Sequence, residues 1–243
     1  MEQIKKLNYQ ILETEKMITS TMQILESNPD DEMLLFMLHQ DQSLLRSLKE
    51  ERTKETLSYL HENIDSAKDL LNMFYSSTPL VVDTKFLAKE LGIRVIRNID
   101  LPDEEAGKCY IDEIEKDIVI EYKPQSVVYR ENFSIAHEFG HIVKHMSSAN
   151  NSSFKDSSEL LYARNNYMDS MTEEEKEADE FAGYLLIPEE SLQLILDGLS
   201  DEEQISATLI ADIYKVSEGT VYHALKSRNL YRNHKILKDF SWL

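Results

Sequence analysis

Residues 137–141 read His137-Glu138-Phe139-Gly140-His141, within a segment, 126–145, that reads as helix. Two His four positions apart lie on one side of a helix, so two imidazole nitrogens reach one metal ion. The Glu between them projects beside that metal, where a carboxylate can take a proton from bound water. Phe133, Ile135, Ala136, Phe139 and Ile142 make this helix apolar on most sides. Two His and a Glu buried among them are costly without a partner, and a metal supplies one. Gly140 lowers helix propensity but permits close approach of another backbone. The competing reading makes His137 and His141 core histidines with ordinary hydrogen bonds.

A site of this kind needs a third protein ligand and leaves a fourth position for water. The helix expected at 172–186 offers one. Thr172 fits its N-cap, with Glu175 three residues on in a capping-box pattern. Its apolar face is Ala178, Phe181, Ala182 and Leu185, and helical spacing puts Glu175 on the edge that faces the core. Asp179 follows one turn later, placed to hydrogen-bond the free nitrogen of a ligand His and fix its tautomer. Glu174 shares part of the same face and is the rival ligand. The run Glu173, Glu174, Glu175 and Glu177 also fits a solvated helix N-terminus favoured by the dipole. His145, one turn past His141, reads as a helix-end His satisfied by carbonyls, with a position facing the site as the alternative. Zinc is the metal expected for His, His and Glu; manganese is compatible with the same ligands.

The stretch from Asn132 to His141, N-F-S-I-A-H-E-F-G-H, resembles the R-F-T-[IL]-A-H-E-[LF]-G-H segment of the ImmA/IrrE family of metallopeptidases. The stretch from Glu175 to Pro188 resembles that family's second block, E-x-E-A-[DN]-x-F-A-x-x-L-L-x-P. The helix-then-strand at 83–96 is similar to its opening, and the likeness spans about 79–230. It implies an α+β fold, a small gluzincin-like metallopeptidase domain. It implies that His137, His141 and Glu175 are zinc ligands, that Glu138 is the general base, and that Asp179 supports a ligand from behind. It also implies a protein substrate: a helix-turn-helix transcriptional repressor whose cleavage relieves repression of mobile-element or stress genes. Some members sit in toxin–antitoxin or phage modules. Asn132 stands where the family often has Arg, the interval 142–174 is long, and a helical arm replaces the frequent N-terminal DNA-binding domain.

Three units are expected. Residues 1–76 form a helical hairpin, 3–27 and then about 30–75, with Asn28 capping the second helix and Pro29 in its first turn. Ile4, Leu7, Ile11, Ile18 and Leu25 set the period of the first helix; Leu57, Leu60, Ile64, Ala67, Leu71 and Phe74 set that of the second. The hairpin reads either as a partner-binding or homo-oligomerising arm or as an appendage packed on the rest. Residues 77–199 form the peptidase domain: a helix at 84–91 capped by Asp83 and ended by Gly92, a strand at 93–96, an acidic loop at 99–107, and a hairpin of strands 108–111 and 117–121. Substrate is expected to add to the strand at 117–121. The Ser- and Asn-rich stretch 146–158 reads as loop. Residues 200–243 form a C-terminal helical unit, near 201–214 and 217–228, with a helix-turn-helix look about Val216-Ser217. Lys226 and Arg228 fall only near its end, so packing is favoured over DNA binding. Tyr162, Tyr167, His145 and His223 are candidates to stabilise an oxyanion.

A net charge of −19 opposes non-specific binding to nucleic acid or to an anionic membrane. One cysteine, Cys109, excludes a disulfide framework and a thiolate zinc site, and suits a reducing cytoplasm. The first residues continue into polar helix rather than an apolar stretch, so no signal peptide is expected, and no window is apolar enough for a membrane span. The rival functions are a catalytically silent partner-binding or toxin–antitoxin protein and a DNA-binding regulator.

Overall fold

The computed structural model describes residues 1–102, 105–124, 128–146, 153–157, 172–237 and 239. Two long helices, α1 (Glu2–Ser27) and α2 (Glu32–Asn63), form the expected antiparallel hairpin. Asp31, not Asn28, caps α2: its carboxylate accepts from the backbone N–H of Met33 and Leu34, both at 3.0 Å. Asn28 instead follows the last turn of α1, and Pro29-Asp30 make the turn between the helices.

The second helix does not run to residue 75. It stops at Asn63, and α3 (Ala67–Phe74) starts afresh behind a capping box of Ser66 and Asp69. The box satisfies N–H groups that a continuous helix would have bonded itself, so the chain turns at 64–66 at little cost. The apolar period survives the turn because Ile64, Ala67, Leu70 and Leu71 are all buried.

The base of the hairpin belongs to the main core. Leu57, Leu60, Ile64 and Leu70 pack in one cluster with Leu87, Leu91, Phe139 and Ile142. Polar ties reinforce it. Arg52 donates to Asp117 at 2.6 Å, Thr53 to the carbonyl of Lys116 at 2.6 Å and Thr56 to that of Leu91 at 3.0 Å. The outer part differs, exposing Leu12, Met17, Met22, Met33, Phe36 and Leu44.

Helix α4 (Thr84–Leu91) is capped by Asp83 and ends at Gly92, whose left-handed φ of 71° suits glycine. A four-stranded sheet follows in the order β1-β3-β2-β4: β1 (Arg94–Arg97), β2 (Glu105–Ile111), β3 (Ile118–Tyr122) and β4 (Ser153–Ser157). β1 runs parallel to β3, while β2 runs antiparallel to β3 and to β4. Three expectations change here. β2 starts at Glu105 within the supposed acidic loop. β4 lies within the supposed loop 146–158, paired to β2. And β3 is central and wholly buried, so a substrate cannot add to it; among the described residues the sheet's edges are β1 and β4.

Cys109, Ile118, Ile120 and Tyr122 share the core with α5 (Val128–Lys144), which crosses the sheet. α6 (Glu173–Leu186) packs on α5, and α7 (Glu189–Gly198) follows Pro188. Helix α8 (Ala207–Tyr214) begins later than residue 201, because Ile205–Ser206 (β5) pairs with Ile236–Leu237 (β6) and Ser206 caps the helix. α9 (Glu218–Ser227) completes the helix pair after a turn with Lys215 left-handed. Arg228 donates to the carbonyl of Gly183 at 3.1 Å and lies 4.2 Å over the Tyr184 ring, so it pins this pair to α6.

The α5–α6 crossing is tight at one point. A Cβ on Gly140 would sit 2.7 Å from Ala178 Cα and 2.9 Å from its carbonyl oxygen. The backbone of a packed helix cannot yield by that amount locally. Gly140→Ala is therefore expected to cost about 1–3 kcal/mol by overpacking, although alanine is the better helix former. Urea unfolding checks this, and unchanged or raised stability would show that the contact is not a constraint.

Candidate metal centre

The i, i+4 spacing on α5 puts His137 and His141 on one face, and the Gly140–Ala178 contact draws the first turn of α6 up to them. Thr172 caps α6, accepting from the N–H of Glu175 at 3.3 Å. The Glu175 carboxylate does not complete a capping box. It turns to the His pair, with Oε2 3.2 Å from His137 Nε2 and Oε1 3.4 Å from His141 Nε2. The two Nε2 atoms are 3.0 Å apart. One turn along α6, Asp179 Oδ1 lies 3.0 Å from His137 Nδ1.

With the three rings neutral, proton positions follow from these partners. Asp179 accepts, so His137 carries its proton on Nδ1 and its Nε2 is a bare lone pair. His145 Nε2 faces Glu177 Oε2 at 2.8 Å, so that proton sits on Nε2 and His145 Nδ1 is an acceptor. It faces His141 Nδ1 at 3.2 Å, which must then donate, leaving His141 Nε2 bare as well. Protonating these nitrogens would relieve the convergence on Glu175, but burial holds the His141 imidazole below its usual pKa and favours the neutral ring. Burial alone would raise the Glu175 carboxyl. The two imidazoles beside it, His137 and His141, outweigh burial and bring the group down to about 2, so Glu175 is a carboxylate.

Three acceptors thus converge in a buried place, with His137 1 % and His141 0 % exposed. Acceptors repel one another unless a cation lies between them. Tetrahedral zinc, with bonds of about 2.0–2.1 Å, sets neighbouring ligand atoms about 3.3 Å apart. The observed 3.0, 3.2 and 3.4 Å match that spacing, and this group could hold a metal ion.

Glu138 is fully buried on the same helix. Its carboxylate lies against Gly107 of β2, where a Cβ would come within 2.8 Å of Oε1. The sequence places Gly107 in the acidic loop expected at 99–107, whereas it lies in β2. The signal available was an isolated glycine inside a strand pattern, which marks close approach of another group. Asn132, in the position where the family often has Arg, ties α5 to the start of α4: its Oδ1 accepts from Thr84 at 2.5 Å and its Nδ2 donates to the Val82 carbonyl at 3.3 Å.

The other candidates separate clearly. Glu174 is exposed and hydrogen-bonds at the helix start, which lowers its carboxyl pKa. His145 is held by Glu177 and His141 rather than by helix-end carbonyls alone. His223 lies on α9 beside Tyr222. Tyr162 and Tyr167 lie outside the described residues. Zinc titration of the metal-free protein should show Glu175→Ala weakening binding at least tenfold and Glu174→Ala leaving it unchanged; the reverse order would move the ligand to Glu174.

Among the described residues, no helix is long and apolar enough to cross a membrane. A search of curated proteins found no match to the chain. The family model described as IrrE N-terminal-like domain, of the M78 peptidases, matches residues 88–226, which include α5, α6 and every residue of the metal centre. That match covers more than half of the sequence, and the chain belongs to the M78 peptidase family.

Proposed function

We propose that the protein is a zinc-dependent endopeptidase of ImmA/IrrE type, acting in the cytoplasm on a helix-turn-helix transcriptional repressor. The observation that carries the metallopeptidase reading is the convergence of His137, His141 and Glu175 with Glu138 buried beside them. His137, His141 and Glu175 would hold the ion. Zinc in such a site supplies Lewis-acid chemistry, polarising a carbonyl and acidifying water. Glu138 takes the water proton on its carboxylate and later passes it to the leaving amide nitrogen. Gly107 leaves room for that carboxylate, and Asp179 holds the His137 ring in the tautomer that presents Nε2.

Substrate would lie extended along β4, the sheet edge next to β2, the strand whose Gly107 touches Glu138. The repressor identity rests on family likeness. The exposed apolar residues on the outer part of the α1–α2 hairpin support a protein-binding role for that arm, toward the substrate or a second copy of the chain. Arg228, one of the two cations at the end of the second helix of the helix-turn-helix-like unit, packs against α6, which weakens the case for DNA binding.

The test is co-incubation with a helix-turn-helix repressor from the same genome, plus zinc, with fragments read by mass. Wild type should cut it at a defined bond. Glu138→Gln should keep zinc at one per chain and lose cleavage by about a hundredfold or more, from the lower bound of the general-base range upward. Full cleavage by Glu138→Gln would overturn the role assigned to Glu138.

A further inference from the structure

His137 and His141 are supported in different ways. His137 has a carboxylate directly behind it, in Asp179. His141 has another imidazole behind it, and only beyond that a carboxylate, Glu177. We propose that His145 and Glu177 are positioning residues that fix the tautomer and ring orientation of His141. The inference rests on the metal-site reading above and extends it from the ligands to the residues behind His141.

The geometry supports it in three ways. First, with neutral rings and His141 Nε2 kept for the metal, the chain has one consistent set of donors. Glu177 has only acceptors, so His145 donates through Nε2. His145 Nδ1 then accepts, and His141 donates through Nδ1. The end of the chain is a bare Nε2 on His141, 3.0 Å from His137 Nε2 and 3.4 Å from Glu175. Second, the chain crosses between helices. His145 follows the last residue of α5 and Glu177 is on α6 beside Ala178, so the chain of bonds runs from one site helix to the other. Third, it assigns His145. Both of its nitrogens have partners on the side of His141 away from Glu175, so it is neither a fourth ligand nor a donor aimed at the reacting carbonyl. The His145 side chain is 9 % exposed, so water competes poorly for its Nδ1, whereas Glu177 is 57 % exposed.

Without His145, the Nδ1–H of His141 loses its acceptor, and the ring is free to turn or to carry its proton on Nε2, where it blocks the metal. Loss of a group that supports a ligand in this way typically costs 10–100-fold in metal affinity. Asparagine can restore the acceptor, because its Oδ1 falls near the place of Nδ1; phenylalanine cannot.

The test is zinc affinity, measured by competition with a chromophoric chelator on the full chain, together with urea unfolding of each metal-free protein. His145→Phe should bind zinc 10–100-fold more weakly than wild type, and His145→Asn should recover most of that loss. Both metal-free variants should unfold at the wild-type urea midpoint, which a merely structural role would not allow. Nitrogen-15 spectra of the zinc-bound protein should show His141 protonated at Nδ1. Wild-type affinity in His145→Phe, or equal losses in the Phe and Asn variants, would overturn the inference while leaving the metal site in place. A wild-type protein that binds no zinc would overturn the metal-site reading and this inference with it.

Discussion

Gly140 lies against Ala178 with no room for even a methyl group between them, and the rest of the centre is arranged around that contact. It fixes how closely α5 and α6 approach. A helix crossing set by a glycine permits backbone contact, and the neighbouring turns then fall into reach of one another. His137 and His141 flank the contact on α5; Glu175 and Asp179 flank it on α6. Any bulkier pair would hold the helices apart and pull the carboxylate off the imidazoles. The remaining elements hold this crossing in place. The sheet supports α5 from below, Arg228 and the α8–α9 pair clamp α6, and the base of the hairpin packs against the same core.

With neutral rings, the centre that results is one that a cation would complete. Two bare imidazole nitrogens and a carboxylate face one another in a buried place, and each imidazole has its proton committed to a partner behind it. On the proposed reading, metal binding and folding are therefore coupled: the ion relieves a repulsion that the fold has built in.

Much of the centre was legible in the sequence because it depends on helical period alone. The i, i+4 pairs His137/His141 and Glu175/Asp179 need only the 3.6-residue repeat, and Gly140 announced a close approach. What sequence reading missed depends on pairings distant along the chain. The parallel alignment of β1 with β3 makes β3 central, and no local pattern shows that. β4 is a Ser-Phe-Lys-Asp-Ser strand whose composition reads as loop, and it exists through its pairing with β2. Gly107 meets Glu138 only because the sheet passes under α5. The break at 64–66 was a different failure, since Ser66 and Asp69 spelled a capping box locally. The unbroken apolar period of Ile64, Ala67 and Leu71 masked it.

The most direct test of the convergent centre is zinc-edge X-ray absorption on the purified protein. The account predicts four-coordinate zinc with two imidazoles among its ligands and nitrogen and oxygen scatterers at about 2.0–2.1 Å. A six-coordinate, all-oxygen shell, or a protein that takes up no zinc, would contradict it.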